Sequence, residues 1–183
     1  PTLGLALGGG SARGIAHVGV LRWLEEHRIP VDLIAGTSMG GLVGGAYASG
    51  LSPAELTQLL ETSDWDEIFG ANAYRYKSIR RKQDAREYPS RLSFRIRRGF
   101  SLPNALNNGA GVDRFLSRMA AIYGELPSFD SLPTPFRTVA MDLQSGTAIV
   151  LDSGSLSRAM RATMSLPAVF PPVEIGGRLL VDG

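Results

Sequence analysis

The stretch LIAGTSMGG, residues 33–41, decides the predicted fold because an apolar run in it ends at a serine between two glycines. Its first three residues predict a buried strand, and G-T-S-M-G, residues 36–40, predicts a sharp turn into a helix. Glycines two residues before and after a serine let the backbone fold tightly, which pushes the hydroxyl out of the chain. From the stretch alone, Ser38 is either a nucleophile at the tip of an elbow or a serine in a glycine-rich turn.

Predicted strands and helices alternate along the chain around this elbow. Strands are expected at residues 3–10, 31–36, 136–143 and 147–152, helices at 11–29, 38–50, 52–60, 111–124 and 155–165, and a hairpin at 173–183. Alternation with short links predicts an α/β fold with a mainly parallel central sheet. A chain of 183 residues is long enough for one domain with a real core, so we expect residues 1–183 to form a single domain.

Composition excludes several classes of protein. The hydrophobic fraction of 44% and the charged fraction of 20% are ordinary for a soluble globular protein. No run approaches the roughly 18 apolar residues of a membrane-spanning helix, and no signal-peptide pattern is present. The absence of cysteine excludes disulfides, thiolate metal sites and a cysteine nucleophile.

A serine nucleophile needs a base, and histidine is the usual one. The two histidines, His17 and His27, both precede Ser38. The order serine, acid, histidine of the usual α/β-hydrolase triad is therefore impossible here. We interpret His17 as a packed or hydrogen-bonding helix residue and His27 as a surface residue.

A carboxylate is the remaining candidate for the base, and Asp182 has the most suggestive position. It ends the apolar run Leu179-Leu180-Val181 and is followed by Gly183. A carboxylate at the end of a strand lies at the sheet edge where α/β sites collect. Asp-Gly is also a common turn sequence, so the local sequence leaves a structural role for Asp182 open.

The glycine-rich stretch GGGSARG, residues 8–14, supplies a place for negative charge. It follows the first predicted strand and opens the first predicted helix, so its backbone N–H groups and the helix dipole favour a phosphate or an oxyanion. A dinucleotide site fits poorly, because Gly8, Gly10 and Gly14 have the wrong spacing for G-x-G-x-x-G. The acidic residue expected at the end of the second strand is also missing.

These three motifs together resemble the patatin-like phospholipase family. They stand as Gly8-Gly9-Gly10-Ser11-Ala12-Arg13-Gly14, then Gly36-Thr37-Ser38-Met39-Gly40, and finally Asp182-Gly183. The segment RATMSLPAVFPPV, residues 161–173, is similar to the family's segment before its aspartate. The third residue of the family's D-G-[AG] is absent because the sequence ends at Gly183. Since family members continue past this aspartate, we expect the sequence to be part of a longer protein.

The resemblance implies a three-layer α/β/α sandwich, a serine–aspartate dyad and no metal or other cofactor. By resemblance, Ser38 attacks the ester carbonyl and Asp182 takes its proton. The loop formed by Gly8, Gly9, Gly10 and Ser11 would bind the substrate, with the N–H groups of the last three holding the oxyanion. Arg13 would steady this loop, meet a phosphate or pair with a surface carboxylate.

The family's activity is the hydrolysis of acyl esters, mostly of phospholipids and lysophospholipids. Its members are cytosolic or are exported bacterial enzymes, and SFDSLPTPFRTVAMDL and GGRLLVDG favour a bacterial source for this chain. The alternative function is a catalytically idle lipid-binding module or regulatory scaffold of the same fold.

A basic segment, residues 74–100, interrupts the order of strands and helices. Residues 75–98 carry ten basic and two acidic side chains, a net charge of +8, while the rest of the chain has a net charge of −6. Arginines with interleaved aromatics suit a membrane surface with anionic head groups. A solvated loop is the alternative, and single-stranded nucleic acid a weaker one, since no nucleic-acid motif supports it.

Overall fold

The computed structural model describes residues 2–65, 68 and 109–183, and the elements are numbered over these residues. The basic segment 74–100 lies outside the described residues. The helices are α1 (Ala16–Glu26), α2 (Met39–Ala48), α3 (Pro53–Thr62), α4 (Ala110–Met119) and α5 (Leu156–Thr163), with 3-10 turns at Ser11–Ile15 and Phe129–Ser131. The strands are β1 (Gly4–Leu7), β2 (Leu33–Thr37), β3 (Glu125–Leu126), β4 (Phe136–Asp142), β5 (Ala148–Leu151), β6 (Gly154–Ser155), β7 (Val173–Ile175) and β8 (Arg178–Asp182).

The central sheet has the order β1-β2-β4-β8-β7, with β5 paired to β4. Strands β1, β2 and β4 run parallel, as the alternating pattern predicts. Strands β5, β7 and β8 add antiparallel pairs, and the pair of β7 and β8 is the predicted hairpin. The sheet is therefore mixed, and its parallel part carries the serine elbow.

The register along β4 explains how distant parts of the chain meet. Thr37 of β2 pairs with Val139, and Asp182 of β8 pairs with the next residue, Ala140. Strand β5 pairs with residues 138–141 of β4 and so occupies one edge of that strand. Strands β2 and β8 both pair with the opposite edge of β4, β2 with residues 136–139 and β8 with residues 140–142. The end of β2 therefore faces the end of β8 across a single register step.

Helix α2 packs on the sheet unusually closely, as its small residues predict. A Cβ added to Gly44 would lie 2.8 Å from Cγ2 of Ile34, and one added to Gly45 would lie 2.7 Å from Sδ of Met160. Every residue of α2 except Tyr47 is buried. Side chains here would push the helix away from β2 and α5, which explains the use of poor helix formers.

The core lies between this helix layer and one face of β4. That face contributes Phe136, Thr138, Ala140 and Asp142, all of them buried. Leu21, Ile34, Leu116, Phe129, Leu156 and Met160 are almost fully buried in the same core. The core therefore packs β2 and β4 against the helices α2 and α5. These four elements carry or border the serine elbow.

Several predicted boundaries differ from the structure for local reasons. The predicted first helix begins as a 3-10 turn because Gly10 (φ 157°) and Ser11 (φ 52°) do not have helical dihedrals. The predicted helix at 52–60 is confirmed and runs to Thr62, with a complete capping box between Ser52 and Glu55. The short pair β3–β6 was not predicted, since two-residue strands carry no periodic signal.

Candidate active site

Ser38 lies in the sharp turn between β2 and α2. Its dihedrals, φ 55° and ψ −124°, are rare for a residue with a side chain, and such geometry costs on the order of 1–3 kcal/mol. The predicted flanking glycines make the turn possible. A Cβ on Gly36 would lie 2.4 Å from the carbonyl oxygen of Gly40, and one on Gly40 would lie 2.1 Å from that of Leu7. The backbone thus forms a tight elbow with a half-buried serine at its tip.

Asp182 lies beside this serine, although the two are 144 positions apart in sequence. The Ser38 hydroxyl donates to Oδ2 of Asp182 at 2.8 Å. The N–H of Asp182 donates to the carbonyl of Ser165 at 3.0 Å, which fixes the backbone of the aspartate. The structure therefore brings together the two residues that the sequence analysis placed in a dyad.

The environment of Asp182 alters its acidity. Burial raises the pKa of Asp182 above its ordinary value of 3.8, while the hydrogen bonds from Ser38 and the Gly183 N–H oppose this shift. Desolvation is the larger effect, because the carboxyl group is half buried. A carboxylate with a raised pKa that accepts a serine proton is suited to act as a general base.

The glycine loop, residues 8–11, passes directly over the elbow. A Cβ on Gly9 would lie 3.1 Å from Cβ of Ser38 and 3.8 Å from its Oγ. Gly8, Gly9, Gly10 and Ser11 are all exposed, and Ser38 beside them is half-buried. The backbone of this loop therefore lies against the Ser38 side chain.

His17 supports the loop and does not touch the serine hydroxyl. Its Nε2 lies 2.9 Å from the carbonyl oxygen of Gly8. His27 lies at the end of α1, where its ring stacks on Trp23 with centroids 4.1 Å apart and its Nδ1 is 2.8 Å from the Trp23 carbonyl oxygen. The interpretation of His17 as a hydrogen-bonding helix residue is confirmed.

Arg13 lies in the 3-10 turn that follows the glycine loop. Its N–H donates to the carbonyl of Gly10 at 3.1 Å, so its backbone closes the turn. Its side chain is exposed. The three roles considered for the guanidinium group stay predictions.

The sequence analysis missed a group of polar residues behind the dyad. Thr163 accepts a hydrogen bond from the Ser38 N–H at 2.8 Å, and Arg161 donates from Nη1 to the Ser165 hydroxyl at 2.5 Å. Arg161 is buried, yet its Nε lies 2.9 Å from a carboxylate oxygen of Asp113. The only sequence signal was the segment 161–173 itself, because a polar residue in a short helix has no pattern that marks it as buried.

The described residues hold neither a metal cluster nor a membrane-spanning helix. Within residues 2–65, 68 and 109–183, no group of three or more His, Cys, Asp or Glu side chains is placed to hold a metal ion. No helix in these ranges is long and apolar enough to cross a bilayer.

The fold and the site define an α/β protein whose strand–turn–helix serine meets an aspartate from a neighbouring strand. The family model of the patatin-like phospholipases matches residues 5–183. The chain therefore belongs to the patatin-like phospholipase family.

Curated relatives match the chain over its whole length. An uncharacterized NTE family protein of Mycobacterium bovis is 34% identical, and the matched region is 42% of that protein. The lysophospholipase NTE1 of Debaryomyces hansenii is 32% identical, with 10% of its length covered. The patatin-like phospholipase domain-containing protein 6 of Mus musculus is 31% identical, with 12% covered. The chain thus spans less than half the length of these relatives.

Solved structures confirm the predicted α/β/α sandwich. VipD from Legionella pneumophila matches with a TM-score of 0.61 at 13% identity, over 100% of this chain and 46% of that one. ExoU in its complex with SpcU from Pseudomonas aeruginosa matches with a TM-score of 0.55 at 19% identity, over 92% of this chain and 37% of that one. At these identities the likeness concerns the fold.

Proposed function

We propose that this chain is a serine acyl hydrolase that cleaves ester bonds of phospholipids or lysophospholipids, with Ser38 as nucleophile and Asp182 as base. One observation carries the proposal: the Ser38 hydroxyl donates at 2.8 Å to the half-buried carboxylate of Asp182, and burial raises the pKa of this carboxylate. A serine in an ordinary turn needs neither a strained elbow nor a desolvated partner.

The proposed reaction has two steps. Asp182 takes the proton from Ser38 Oγ as the oxygen attacks the ester carbonyl carbon, and the N–H groups of Gly9, Gly10 and Ser11 stabilise the resulting oxyanion. When the intermediate collapses, the ester C–O bond breaks and the leaving alkoxide takes the proton from Asp182. Asp182 then takes a proton from water as the water oxygen attacks the acyl-serine. It returns this proton to Ser38 Oγ when the bond between the acyl carbon and Oγ breaks, which releases the fatty acid and free Ser38.

The choice of substrate class rests on the family and on the relatives. The family is named for its phospholipase activity, and a relative 32% identical to this chain is named a lysophospholipase. Because the chain spans about a tenth of that relative, the proposal concerns only the reaction at this site. Gly8 and Arg13 are proposed to bind the substrate beside the oxyanion donors. Arg13 is the basic residue nearest in sequence to the glycine loop.

The chain would work at a membrane surface, where its substrates are. The basic segment 74–100 is proposed as the contact, since each basic residue near an anionic surface contributes about 1 kcal/mol of attraction. Replacing Arg80, Arg81 and Lys82 by glutamate should weaken binding to anionic vesicles. Unchanged binding would refute a role for these three residues.

Release of fatty acid from vesicles tests the proposed function. Vesicles of phosphatidylcholine, with and without lysophosphatidylcholine, are incubated with the wild type, Ser38→Ala and Asp182→Asn, with EDTA present in a parallel series. We expect release by the wild type with and without EDTA, and loss of it in both variants. Vesicle binding without any release by a folded wild type would instead support the idle lipid-binding module.

A further inference from the structure

A buried threonine, Thr163, contacts the backbone of the proposed nucleophile, Ser38. Thr163 is the last residue of α5 and has no exposed surface. Its Oγ1 accepts a hydrogen bond from the Ser38 N–H at 2.8 Å and donates one to the carbonyl of Val139 at 2.5 Å. We propose that Thr163 is a positioning residue that holds Ser38 in its strained elbow geometry, an inference that rests on the proposed function.

The two hydrogen bonds of Thr163 depend on each other. A hydroxyl has one proton, so donation to Val139 leaves only lone pairs for the Ser38 N–H. The bond to β4 thereby orients the oxygen as an acceptor toward the elbow. Because the threonine is fully buried, no bulk water is available to replace either bond.

Thr163 also places both members of the dyad against the same strand. It ties Ser38 to Val139, and the residue after Val139, Ala140, pairs with Asp182. Two residues beyond Thr163, the carbonyl of Ser165 accepts the Asp182 N–H at 3.0 Å. The segment that ends α5 therefore fixes the backbones of serine and aspartate together, although they come from opposite ends of the chain.

The arrangement has a consequence for the oxyanion. The Ser38 N–H points to Thr163 and is not free to face a substrate. The glycine loop, whose Gly9 lies beside the Ser38 side chain, is the proposed source of the oxyanion donors. Without an acceptor at residue 163, the Ser38 N–H loses its partner, and rotation of the elbow to find another would draw Ser38 Oγ away from Asp182.

The experiment compares three matched variants of the same chain. Thr163→Val keeps the shape and removes both hydrogen bonds, and Thr163→Ser restores the hydroxyl. Ser49→Ala is the control, because Ser49 is also buried and also donates to a backbone carbonyl, that of Ala46 at 2.7 Å, but lies at the opposite end of α2 from Ser38. Each variant is assayed for kcat and KM on a soluble ester, for the rate of fluorophosphonate labelling, and for Tm.

We expect Thr163→Val to lower kcat and the labelling rate about 100-fold with little change in KM, the effect of a displacement near 1 Å. Thr163→Ser should recover most of the rate, and Ser49→Ala should lower Tm but keep kcat. Equal rates for Thr163→Val and the wild type, or equal losses in Thr163→Val and Thr163→Ser, would overturn the proposal. So would losses of rate that simply follow Tm across all variants.

Two additions keep the result decisive. If Thr163→Val does not fold, Thr163→Ala and Thr163→Ser form an equivalent pair that differs by the hydroxyl. Hydrogen exchange at the Ser38 amide gives a readout that needs no activity: removal of the hydroxyl should accelerate it, and unchanged exchange would refute the proposal. A wild type with a protected Ser38 amide that never labels would contradict the proposed function while leaving the role of Thr163 intact.

Discussion

Substitution of Gly40 by alanine tests how tightly the elbow is built. Gly40 lies in the first turn of α2, two residues after Ser38. An added Cβ would lie 2.1 Å from the carbonyl oxygen of Leu7 and 2.6 Å from that of Gly8. The shorter distance falls about 1.3 Å below the 3.4 Å at which ordinary contact begins. Both obstacles are backbone atoms, so no side-chain rotation relieves the clash.

The expected magnitude follows from this distance. Overpacking in a core usually costs about 1–3 kcal/mol, and we expect Gly40→Ala to reach about 3 kcal/mol because α2 or the end of β1 has to move. A displacement near 1 Å at the elbow also separates Ser38 from Asp182 and from the glycine loop. We therefore expect kcat to fall about 100-fold in the protein that remains folded.

The assay is urea unfolding followed by circular dichroism, with ester hydrolysis measured on the same samples. Gly19→Ala is the matched control, since Gly19 lies inside α1 and an added Cβ has no neighbour within 4 Å. Alanine in a helix interior is better than glycine by roughly 0.5–1 kcal/mol, so this control should gain stability and keep its activity. A Gly40→Ala variant with the stability and kcat of the wild type would refute the close approach of α2 to β1.

Asp182→Asn should lower kcat by about 10²–10⁴-fold, which is the usual contribution of a general base. Thermal melts at pH 7 should show no loss of stability, because the substitution removes a carboxylate whose charged form burial disfavours. The raised pKa of Asp182 also predicts that wild-type activity falls as the pH drops through this pKa, since the base must be unprotonated. The contribution of Asp182 to the free energy of unfolding changes with pH in the opposite direction to activity. It is most favourable below the ordinary pKa of 3.8 and is lost as the pH rises through the raised pKa of the folded protein. Asp182→Asn should abolish this pH dependence of stability in unfolding experiments. Asp113→Ala should cost about 2 kcal/mol in urea unfolding, less than the roughly 3–5 kcal/mol for breaking a fully buried ion pair, because Asp113 is 57% exposed while Arg161 is buried. An Asp113→Ala variant as stable as the wild type would show that this ion pair does not contribute.

The parts of the fold that the sequence could predict are those with a local pattern. The alternation of apolar runs and glycines around Ser38 predicted β2, the elbow and α2, and the Gly176-Gly177 turn predicted the hairpin of β7 and β8. These features depend on neighbouring residues, so the order of side chains records them.

The contacts across the sheet could not be predicted in the same way. That Asp182 pairs with Ala140, one step beyond the pairing of Thr37 with Val139, depends on the register of β8 on β4. The sequence offered Asp182 as either a base or a turn residue, and only the resemblance to a family favoured the first. Beyond its place in the segment 161–173, Thr163 had no signal, since its importance comes from a hydrogen bond to a residue 125 positions away.

The most direct test of the account is to identify the residue that a fluorophosphonate probe modifies, by peptide mapping and mass spectrometry of the intact chain. We predict one adduct, on Ser38, which is absent from Ser38→Ala and forms much more slowly in Asp182→Asn. A single adduct on another serine, or no adduct on a folded chain that hydrolyses phospholipid, would contradict the assignment of Ser38 and Asp182 as the catalytic pair.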